Sequence, residues 1–195
     1  MVKGPSPEDP PEIGAEEKAY ALMAVAAGLQ MADTQLYHTR KGRRLFATKR
    51  FDRTPAGRLH MHTASGLLNA NHREPEVLKM FRNMVFNVYA KNRDDHAKNH
   101  AFLMDGDGRW FLAPAYDLTF SSGPGGEHST AIGGEGKAPG MPHLLSVSRG
   151  ASIPDNDAKD VIEQVRTAIG RWPEFAEKVG LSRSRTAELH AFLTT

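Results

Sequence analysis

Apolar residues recur with helical spacing in two segments of the chain. The first runs from Ala15 to Ala27, follows a stretch rich in proline and acid, and ends at Gly28, a residue type that commonly stops helices. The second runs from Val77 to Val88, has apolar residues three and four positions apart, and is the clearest helical pattern in the sequence. Both patterns predict helices that pack one face against a core.

Short apolar stretches beside turn-forming residues predict strands. Residues 35–38 and 45–51 flank the sequence RKG, and we interpret them as a strand pair. Residues 101–104 (AFLM) and 109–113 (RWFLA) surround DGDG, which favours a β-hairpin. The stretch 121–140, called the glycine-rich segment below, predicts a long mobile loop.

The last part of the chain returns to helical patterns. Apolar residues within 161–169 predict one helix, and Pro173 is expected to open a second. Ser182 is expected to cap a third helix, with Leu189 and Phe192 facing inward. Together with the strands, these patterns predict an α+β fold whose C-terminal part is mostly helical.

With 195 residues, the chain is long enough for one domain or two small lobes. We divide it into a small α+β lobe, residues 1–53, and a larger, mostly helical lobe, residues 54–195. The composition is 39% hydrophobic and 25% charged, which is ordinary for a globular protein. No run approaches the roughly 20 apolar residues that cross a membrane, so we expect a cytoplasmic protein without a membrane partner.

Charge and cysteine content narrow the possible chemistry. The net charge of +2 is too small to indicate nucleic acid binding, so we expect no direct nucleic acid partner. The chain has no cysteine, which excludes disulfides, thiolate zinc sites and thiol catalysis. Any metal ion must then be held by oxygen or imidazole ligands.

Candidate chemistry concentrates in residues 92–99 (NRDDHAKN), called the acidic loop below, which directly follow the second helix. Asn99 lies just before the predicted hairpin and Asp117 just after it, so we expect these two residues to be neighbours in space. Asp94 precedes Asn99 by five residues. Protein kinases place their catalytic base and a metal-binding asparagine five residues apart, followed by a metal-binding aspartate. The pattern therefore predicts phosphoryl transfer.

Within the acidic loop, we expect Asp94 rather than Asp95 to be the base, because only Asp94 has the asparagine at the required spacing. His96 and Lys98 of the same loop are expected to reach phosphate oxygens. Two other interpretations remain open. The loop could be a solvated polar turn, or Asp94, Asp95 and His96 could form the centre of a metal-dependent phosphohydrolase.

The N-terminal part supplies a second candidate pair. A kinase requires a strand lysine that holds nucleotide phosphates and a helix glutamate that positions this lysine. Lys3 and Glu17 occur in that order, and Glu17 lies on the first predicted helix. The second predicted strand runs into KRFDR (49–53), where a hinge between lobes would contact adenine and Phe51 would supply an apolar wall.

The run MVFNVYAKNRDDHAKNHAFLMDGDGRWFLAPAYDLTFSSG closely resembles the core of the HipA-like serine/threonine kinases, which are toxins of bacterial toxin–antitoxin modules. The runs VKGPSPEDPPEIGAEEKAYALMA and LFATKRFDRTPAGRLHMHT are similar to this family's nucleotide-lysine segment, first helix and hinge. The resemblance spans nearly the whole chain. It implies a protein-kinase-like bilobal fold.

The resemblance also implies roles and partners. Asp94 and Lys98 would be catalytic, and Asn99 and Asp117 would bind Mg²⁺. The residues implied to bind ATP are Lys3, Glu17, Lys49, Arg50, Phe51, His96 and Tyr116. The implied substrate is a serine or threonine hydroxyl of a protein, such as an aminoacyl-tRNA synthetase or the kinase itself. The implied partner is a HipB-like DNA-binding antitoxin.

Two departures from the family pattern carry expectations of their own. Family members have a further subdomain and a glycine-rich loop before the lysine, so we expect a truncated N-lobe. Whether a separate N-terminal chain completes it is left open at this point. An internal deletion is expected between LLNANHR (67–73) and EPEVLKM (74–80). The alternative function is therefore a catalytically impaired remnant that binds an antitoxin or a complementing chain.

Overall fold

The computed structural model describes residues 1–4, 6–40, 42–55, 57–63 and 74–194. Its helices are α1 (Ile13–Ala26), α2 (Glu74–Tyr89), α3 (Met141–Gly150), α4 (Asp155–Gly170), α5 (Trp172–Lys178) and α6 (Arg183–Leu193). Its strands are β1 (Val2–Lys3), β2 (Thr34–His38), β3 (Arg44–Thr48), β4 (Arg53–Thr54), β5 (Gly57–Arg58), β6 (His60–Thr63), β7 (Ala101–Met104) and β8 (Trp110–Leu112). The expected internal deletion adjoins residues 64–73, which lie outside the described residues.

The strands form two antiparallel three-stranded sheets and one short ribbon. The first sheet has the order β1-β3-β2, the second has the order β6-β7-β8, and β4 pairs with β5. Both the strand pair β2–β3 and the hairpin β7–β8 were predicted from the sequence, and both are confirmed. The prediction that the second strand reaches Phe51 is wrong, since β3 ends at Thr48.

The chain leaves the first sheet after Thr48 because a local ion pair closes a turn. The guanidinium of Arg50 donates two hydrogen bonds to the carboxylate of Asp52, at 2.8 and 2.6 Å. Phe51 then packs beside the buried residues Ala101, Leu103 and Ala113 under the second sheet. Phe51 therefore packs against the second sheet and does not belong to the strand in which its apolar pattern had placed it.

Helix α1 packs closely on the first sheet and on the C-terminal helices. A Cβ atom at Gly14 would collide with the carbonyl group of Arg44 in β3, so the close approach requires glycine at this position. On the opposite face, the Tyr20 ring packs edge-on against Trp172 at 5.2 Å between ring centres, and its hydroxyl donates to the Ala90 carbonyl at 3.1 Å. The first helix is therefore fixed between β3 and α5.

The helical core joins both parts of the chain. Apolar residues of α1 share one buried cluster with those of α2, α4, α5 and α6. The division at residue 53 stays a prediction. No described helix is long and apolar enough to cross a membrane.

The C-terminal helices agree with the sequence pattern except at two places. The Ser182 side chain accepts a hydrogen bond from the Arg185 amide and caps α6, as predicted. Leu189 is buried, but Phe192 is 45% exposed and stacks on Phe120, so the prediction that Phe192 faces inward is wrong. Helix α3 was not predicted, because its ten residues carry few apolar positions and only Leu144 is a fully buried apolar side chain.

Candidate active site

The acidic loop begins with a tight reversal of the chain after α2. Lys91 adopts a positive φ of 53°, and Asn92 is buried. The Asn92 side chain donates to the Asn87 side-chain oxygen at 3.0 Å, and its backbone amide donates to the Asn87 carbonyl, also at 3.0 Å. These bonds hold the start of the loop against the rigid end of the helix.

The two adjacent aspartates of the acidic loop lie in opposite environments. The Asp94 side chain is 56% exposed, and its Oδ1 lies 3.6 Å from Nε2 of His96. The Asp95 side chain is 3% exposed, and its Oδ2 lies 2.9 Å from Nδ1 of His128. Only Asp94 is therefore open to an incoming hydroxyl. The burial of Asp95 disfavours the phosphohydrolase that would use it as an open ligand.

Asn99 closes the acidic loop on itself. It ends a single 3₁₀ turn, Ala97–Asn99, and its side-chain nitrogen donates to the Asp94 carbonyl at 2.7 Å. This bond orients the amide group and uses its nitrogen, so the carbonyl oxygen of Asn99 remains as the atom suited to a cation. Asp94 and Asn99, which are five residues apart, are thus the two ends of a loop that this hydrogen bond closes.

The hairpin brings its two flanking segments together, as predicted. The hydroxyl of Tyr116, which follows β8, donates to the Lys98 carbonyl, which precedes β7, at 2.6 Å. Burial and the charge of Asp117 raise the pKa of Tyr116, so the phenol stays a neutral donor at physiological pH. The next residue, Asp117, adopts a positive φ of 55°. Aspartate tolerates this left-handed conformation better than most residues, and such conformations concentrate at functional sites.

Lys3 joins β1, α1 and the hairpin end in one ionic cluster. Its Nζ lies 2.6 Å from Oε1 of Glu17 and 2.8 Å from Oδ1 of Asp117. Burial lowers the pKa of Lys3, but the hydrogen bonds and charges of Asp117 and Glu17 outweigh that effect and raise it above its usual value. The lysine is therefore a cation throughout the physiological range, held by two carboxylates that lie far apart in the sequence.

A cleft of about 320 Å³ opens beside this cluster. Its polar end is formed by Lys3, Glu17 and Asp117, and the other lining residues are Met1, Ala21, Met31, Phe46, Thr48, Ala115, Tyr116 and Leu118. The volume lies at the lower end of the range of about 300 to 1,000 Å³ that is usual for small-molecule sites. An apolar cavity with charged groups at one end suits a ligand that has a flat apolar part and an anionic part.

The remaining predicted residues lie around the cleft rather than in it. Phe51 stacks on the ring of Tyr116 at 5.7 Å between centres. Lys49 is exposed and lies 3.8 Å from Asp33, and Arg50 binds Asp52 as described above. Lys49, Arg50 and Phe51 do not line the cleft, but they directly follow Thr48, which does.

Three residues around the acidic loop were not predicted as part of the site. His128 and Thr130 of the glycine-rich segment bind Asp95, and Arg93 binds carbonyl groups of the same segment. The segment has irregular structure, as predicted, and these bonds fasten it to the acidic loop. His128 is a lone histidine among glycines and belongs to no recognisable spacing pattern. Its role is therefore visible only from its contact with Asp95 in the structure.

The donor set fits a magnesium ion that is shared with phosphates. The amide oxygen of Asn99 and the carboxylate of Asp117 are hard oxygen ligands, and Mg²⁺ typically takes one or two such ligands from a protein and the rest from water and phosphate. Among the described residues, no group of three or more His, Cys, Asp or Glu side chains is placed to hold a metal ion. A site made by protein alone is thus not indicated in the described part of the chain.

Comparison with known proteins places this geometry in a family. The family model for the HipA-like C-terminal domain matches residues 1–172. No curated protein sequence matches the chain. The chain is similar in structure to HipA from Shewanella oneidensis MR-1, which was solved with HipB and operator DNA, with a TM-score of 0.72 and 18% identity.

That alignment covers 98% of this chain and 55% of the Shewanella HipA chain, so the protein spans about half of that relative's length. The chain is also similar to the Helicobacter pylori proinflammatory kinase CtkA, with a TM-score of 0.63 and 15% identity, over 100% of this chain and 82% of that one. Both likenesses show a shared fold of mixed helix and sheet. Because the family model covers most of the chain, this protein belongs to the HipA-like C-terminal domain family.

Proposed function

We propose that this protein is a serine/threonine protein kinase that uses ATP and Mg²⁺. The observation that carries the proposal is the ionic cluster of Lys3, Glu17 and Asp117 at the polar end of the cleft. A kinase needs a lysine–glutamate ion pair and a metal-binding aspartate in place together. Family membership and the kinase-like fold support the same conclusion.

In this proposal the acidic loop carries the acceptor side of the reaction. Asp94, which is open to solvent, accepts the proton of the substrate hydroxyl. Asn99 and Asp117 would hold Mg²⁺, which would neutralise charge on the transferred phosphoryl group. Lys98 and His96 contact phosphate oxygens from the same loop.

The cleft carries the nucleotide side. Lys3, positioned by Glu17, binds the α- and β-phosphates, and the apolar wall of the cleft takes the adenine. Tyr116 stacks with Phe51 at the edge of the cleft, and residues 49–51 form the hinge. Residues 1–53 then act as a small nucleotide lobe and residues 54–195 as the larger lobe.

We further propose that the protein is the toxin of a toxin–antitoxin module. The similar Shewanella HipA was solved with HipB and operator DNA, which supports a HipB-like DNA-binding antitoxin as the partner here. The substrate is a protein hydroxyl, in an aminoacyl-tRNA synthetase or in the kinase itself. A cytoplasmic location follows from the requirement for ATP.

One observation favours a second function, a binding module with impaired catalysis. Strand β1 lies at the edge of its sheet, and its Val2 and the adjacent Met1 are exposed. An open strand edge with apolar side chains can accept a further strand from another chain. In this case the partner would be a complementing N-terminal chain or an antitoxin.

The proposal is tested by mixing the purified chain with γ-labelled ATP, Mg²⁺ and a protein acceptor, alone and with the short chain encoded directly upstream. We expect label on protein, and we expect Asp94→Ala to reduce transfer by roughly 10²- to 10⁴-fold, the usual contribution of a general base. Asp107→Ala is the matched control, because Asp107 is an exposed carboxylate in the turn of the β7–β8 hairpin, outside the acidic loop.

Absence of nucleotide binding under both conditions would contradict the kinase and favour the binding module. Release of free phosphate without protein labelling would instead favour a hydrolase.

A further inference from the structure

Both neighbours of Asp94 bind the glycine-rich segment. The Arg93 guanidinium donates to the carbonyl groups of Ser122 at 3.4 Å and Lys137 at 3.3 Å. The Arg93 carbonyl accepts a hydrogen bond from the Ser129 amide at 2.9 Å. The Arg93 amide also donates to the Ser121 carbonyl at 3.3 Å, so the bonds formed by Arg93 alone extend over the segment from residue 121 to residue 137.

Asp95 makes the stronger set of contacts on the other side of Asp94. Its Oδ2 lies 2.9 Å from Nδ1 of His128, and its Oδ1 accepts from the Thr130 amide at 3.1 Å. The Thr130 hydroxyl donates to the Asp95 carbonyl at 2.8 Å. The side chains of Asp95 and His128 are 3% and 2% exposed. A carboxylate buried to this degree requires these partners, because an unpaired one would be strongly destabilised.

The packing between segment and loop leaves little freedom. A side chain at Gly123 would lie 2.7 Å from Cβ of Arg93 and would collide with the Glu127 carbonyl, and Gly123 has a positive φ of 71°. The segment is thus shaped to lie directly on the peptide before Asp94. Its contacts hold the backbone before and after Asp94, while the Asp94 side chain itself stays open to solvent.

We propose that Asp95 and His128 are positioning residues: their buried contact docks the glycine-rich segment on the acidic loop and so orients Asp94 toward the acceptor hydroxyl. This inference rests on the proposed kinase function. His128 is too buried to contact a substrate, and it acts through Asp95 and the peptide that carries Asp94. Without the contact, the loop would sample several orientations, and a displacement of about 1 Å at a reacting group can cost roughly 100-fold in rate.

The experiment compares His128→Ala, His128→Asn and the control His60→Ala in the full chain. The asparagine side-chain nitrogen can take the place of Nδ1, so His128→Asn is expected to restore the contact. His60 is exposed on β6, away from the segment. Two measurements are made on each variant: hydrogen exchange of residues 121–137, and the kcat and KM of transfer to a protein acceptor.

We expect His128→Ala to accelerate exchange in the segment and to lower kcat by roughly 10- to 100-fold, with the KM for ATP unchanged, since the nucleotide cleft lies elsewhere. His128→Asn should recover both properties, and His60→Ala should resemble the wild type. Should His128→Ala fail to fold, Thr130→Val removes one bond at an exposed residue, and a smaller loss of kcat with faster exchange is expected.

Faster exchange with an unchanged kcat would overturn the inference alone, and so would an unchanged exchange rate in every variant. A wild-type protein that transfers no phosphate would overturn the proposed function as well, which keeps the two failures distinct.

Discussion

Two pairs of adjacent carboxylates lie at the candidate site, Glu16 and Glu17 on α1 and Asp94 and Asp95 in the acidic loop. In each region one carboxylate faces the candidate site and the other is bound by a distant part of the fold. Both glutamates are buried, but Glu17 binds Lys3 at the cleft, whereas Glu16 is bound by Arg185 of α6 at 2.8 Å. Asp94 is open, whereas Asp95 is buried against His128.

The comparison shows how neighbouring residues of one type acquire separate tasks. Successive side chains on a helix point about 100° apart, so Glu16 and Glu17 cannot face the same neighbour. In the acidic loop, Asp94 and Asp95 likewise face different surroundings, solvent for Asp94 and His128 for Asp95. In the proposed function, the residue that anchors the element and the residue that serves the site are thus placed side by side.

The largest expected effect comes from the residue that joins the two regions. Asp117 binds Lys3, and it follows Tyr116, which bonds to the acidic loop. We expect Asp117→Asn to reduce phosphoryl transfer by about 10³-fold, because a neutral amide replaces the carboxylate that would bind Mg²⁺ at the reacting centre. Asparagine tolerates the positive φ at this position, so the fold should be retained.

The measurement for Asp117→Asn is the initial rate of protein labelling, together with circular dichroism to check folding. Asp33→Asn is the control, because Asp33 is exposed and paired only loosely with Lys49, at 3.8 Å. Equal rates for Asp117→Asn and the wild type would contradict the placement of the metal ligand.

Separate substitutions of the two glutamates of α1 distinguish an effect on catalysis from an effect on stability. Glu17→Gln should lower kcat/KM by roughly 10- to 100-fold through loss of lysine positioning. It should lower the free energy of unfolding less than Glu16→Gln does, because Lys3 keeps Asp117 as an ionic partner. Glu16→Gln should lower the free energy of unfolding by about 2 kcal/mol, because a buried hydrogen bond to a charged group is weakened. Its kcat/KM should stay within about twofold of the wild type.

Denaturant unfolding and steady-state kinetics on both α1 variants check this prediction, and each variant serves as the control for the other. The same defect in both variants would show that the two glutamates do not have separate tasks.

The smallest expected effect concerns a third glutamate at the start of α1. Glu12 binds Arg44 of β3 and Ser182 before α6. Burial raises the pKa of Glu12, but the bonds from Ser182 and Arg44 outweigh it and hold the pKa below its usual 4.5. A lowered carboxylate pKa stabilises the fold fully above pH 4.5, and this contribution is lost as the pH falls through the folded value.

We therefore expect Glu12→Gln to destabilise the protein by about 1 kcal/mol at pH 7 and by less at a pH of about 3. Thermal unfolding of the wild type and the variant at both values measures the difference. Glu8→Gln is the control, since the Glu8 side chain is exposed. A difference that grows toward acid pH would show that Glu12 is not the anchoring carboxylate.

Much of the fold could be predicted because it depends on local patterns. The apolar periodicity of α1, α2 and α4, the cap at Ser182 and the turn of the β7–β8 hairpin all lie within a few residues of the element they define. By contrast, β1 is two residues long and exists only because Val2 and Lys3 pair with Ala47 and Phe46 of β3. Short elements of this kind have no periodicity to detect.

The candidate site was partly predictable for a similar reason. Asp94, Asn99 and Asp117 follow from a spacing and a hairpin, and the bond from Tyr116 to Lys98 confirms that the hairpin ends meet. Their chemical roles remain a prediction. The contact between Asp95 and His128 spans thirty-three positions with no pattern between them, so the sequence could not indicate it.

The sequence by itself determined the longer helices, the β2–β3 pair and the β7–β8 hairpin, and it placed the acidic loop, NRDDHAKN, between α2 and that hairpin, because these features arise from neighbouring residues. The spacing had already singled out Asp94 and Glu17 as candidates, but only the tertiary structure decided that Glu16 and Asp95, the other member of each pair, are anchored to distant parts of the fold. That choice depends on what packs opposite: Lys3 and Arg185 on the two sides of α1, and His128 beneath the acidic loop. Glu16 and Asp95 are anchored by Arg185 and His128, whereas Glu17 binds Lys3 at the cleft and Asp94 stays exposed to solvent.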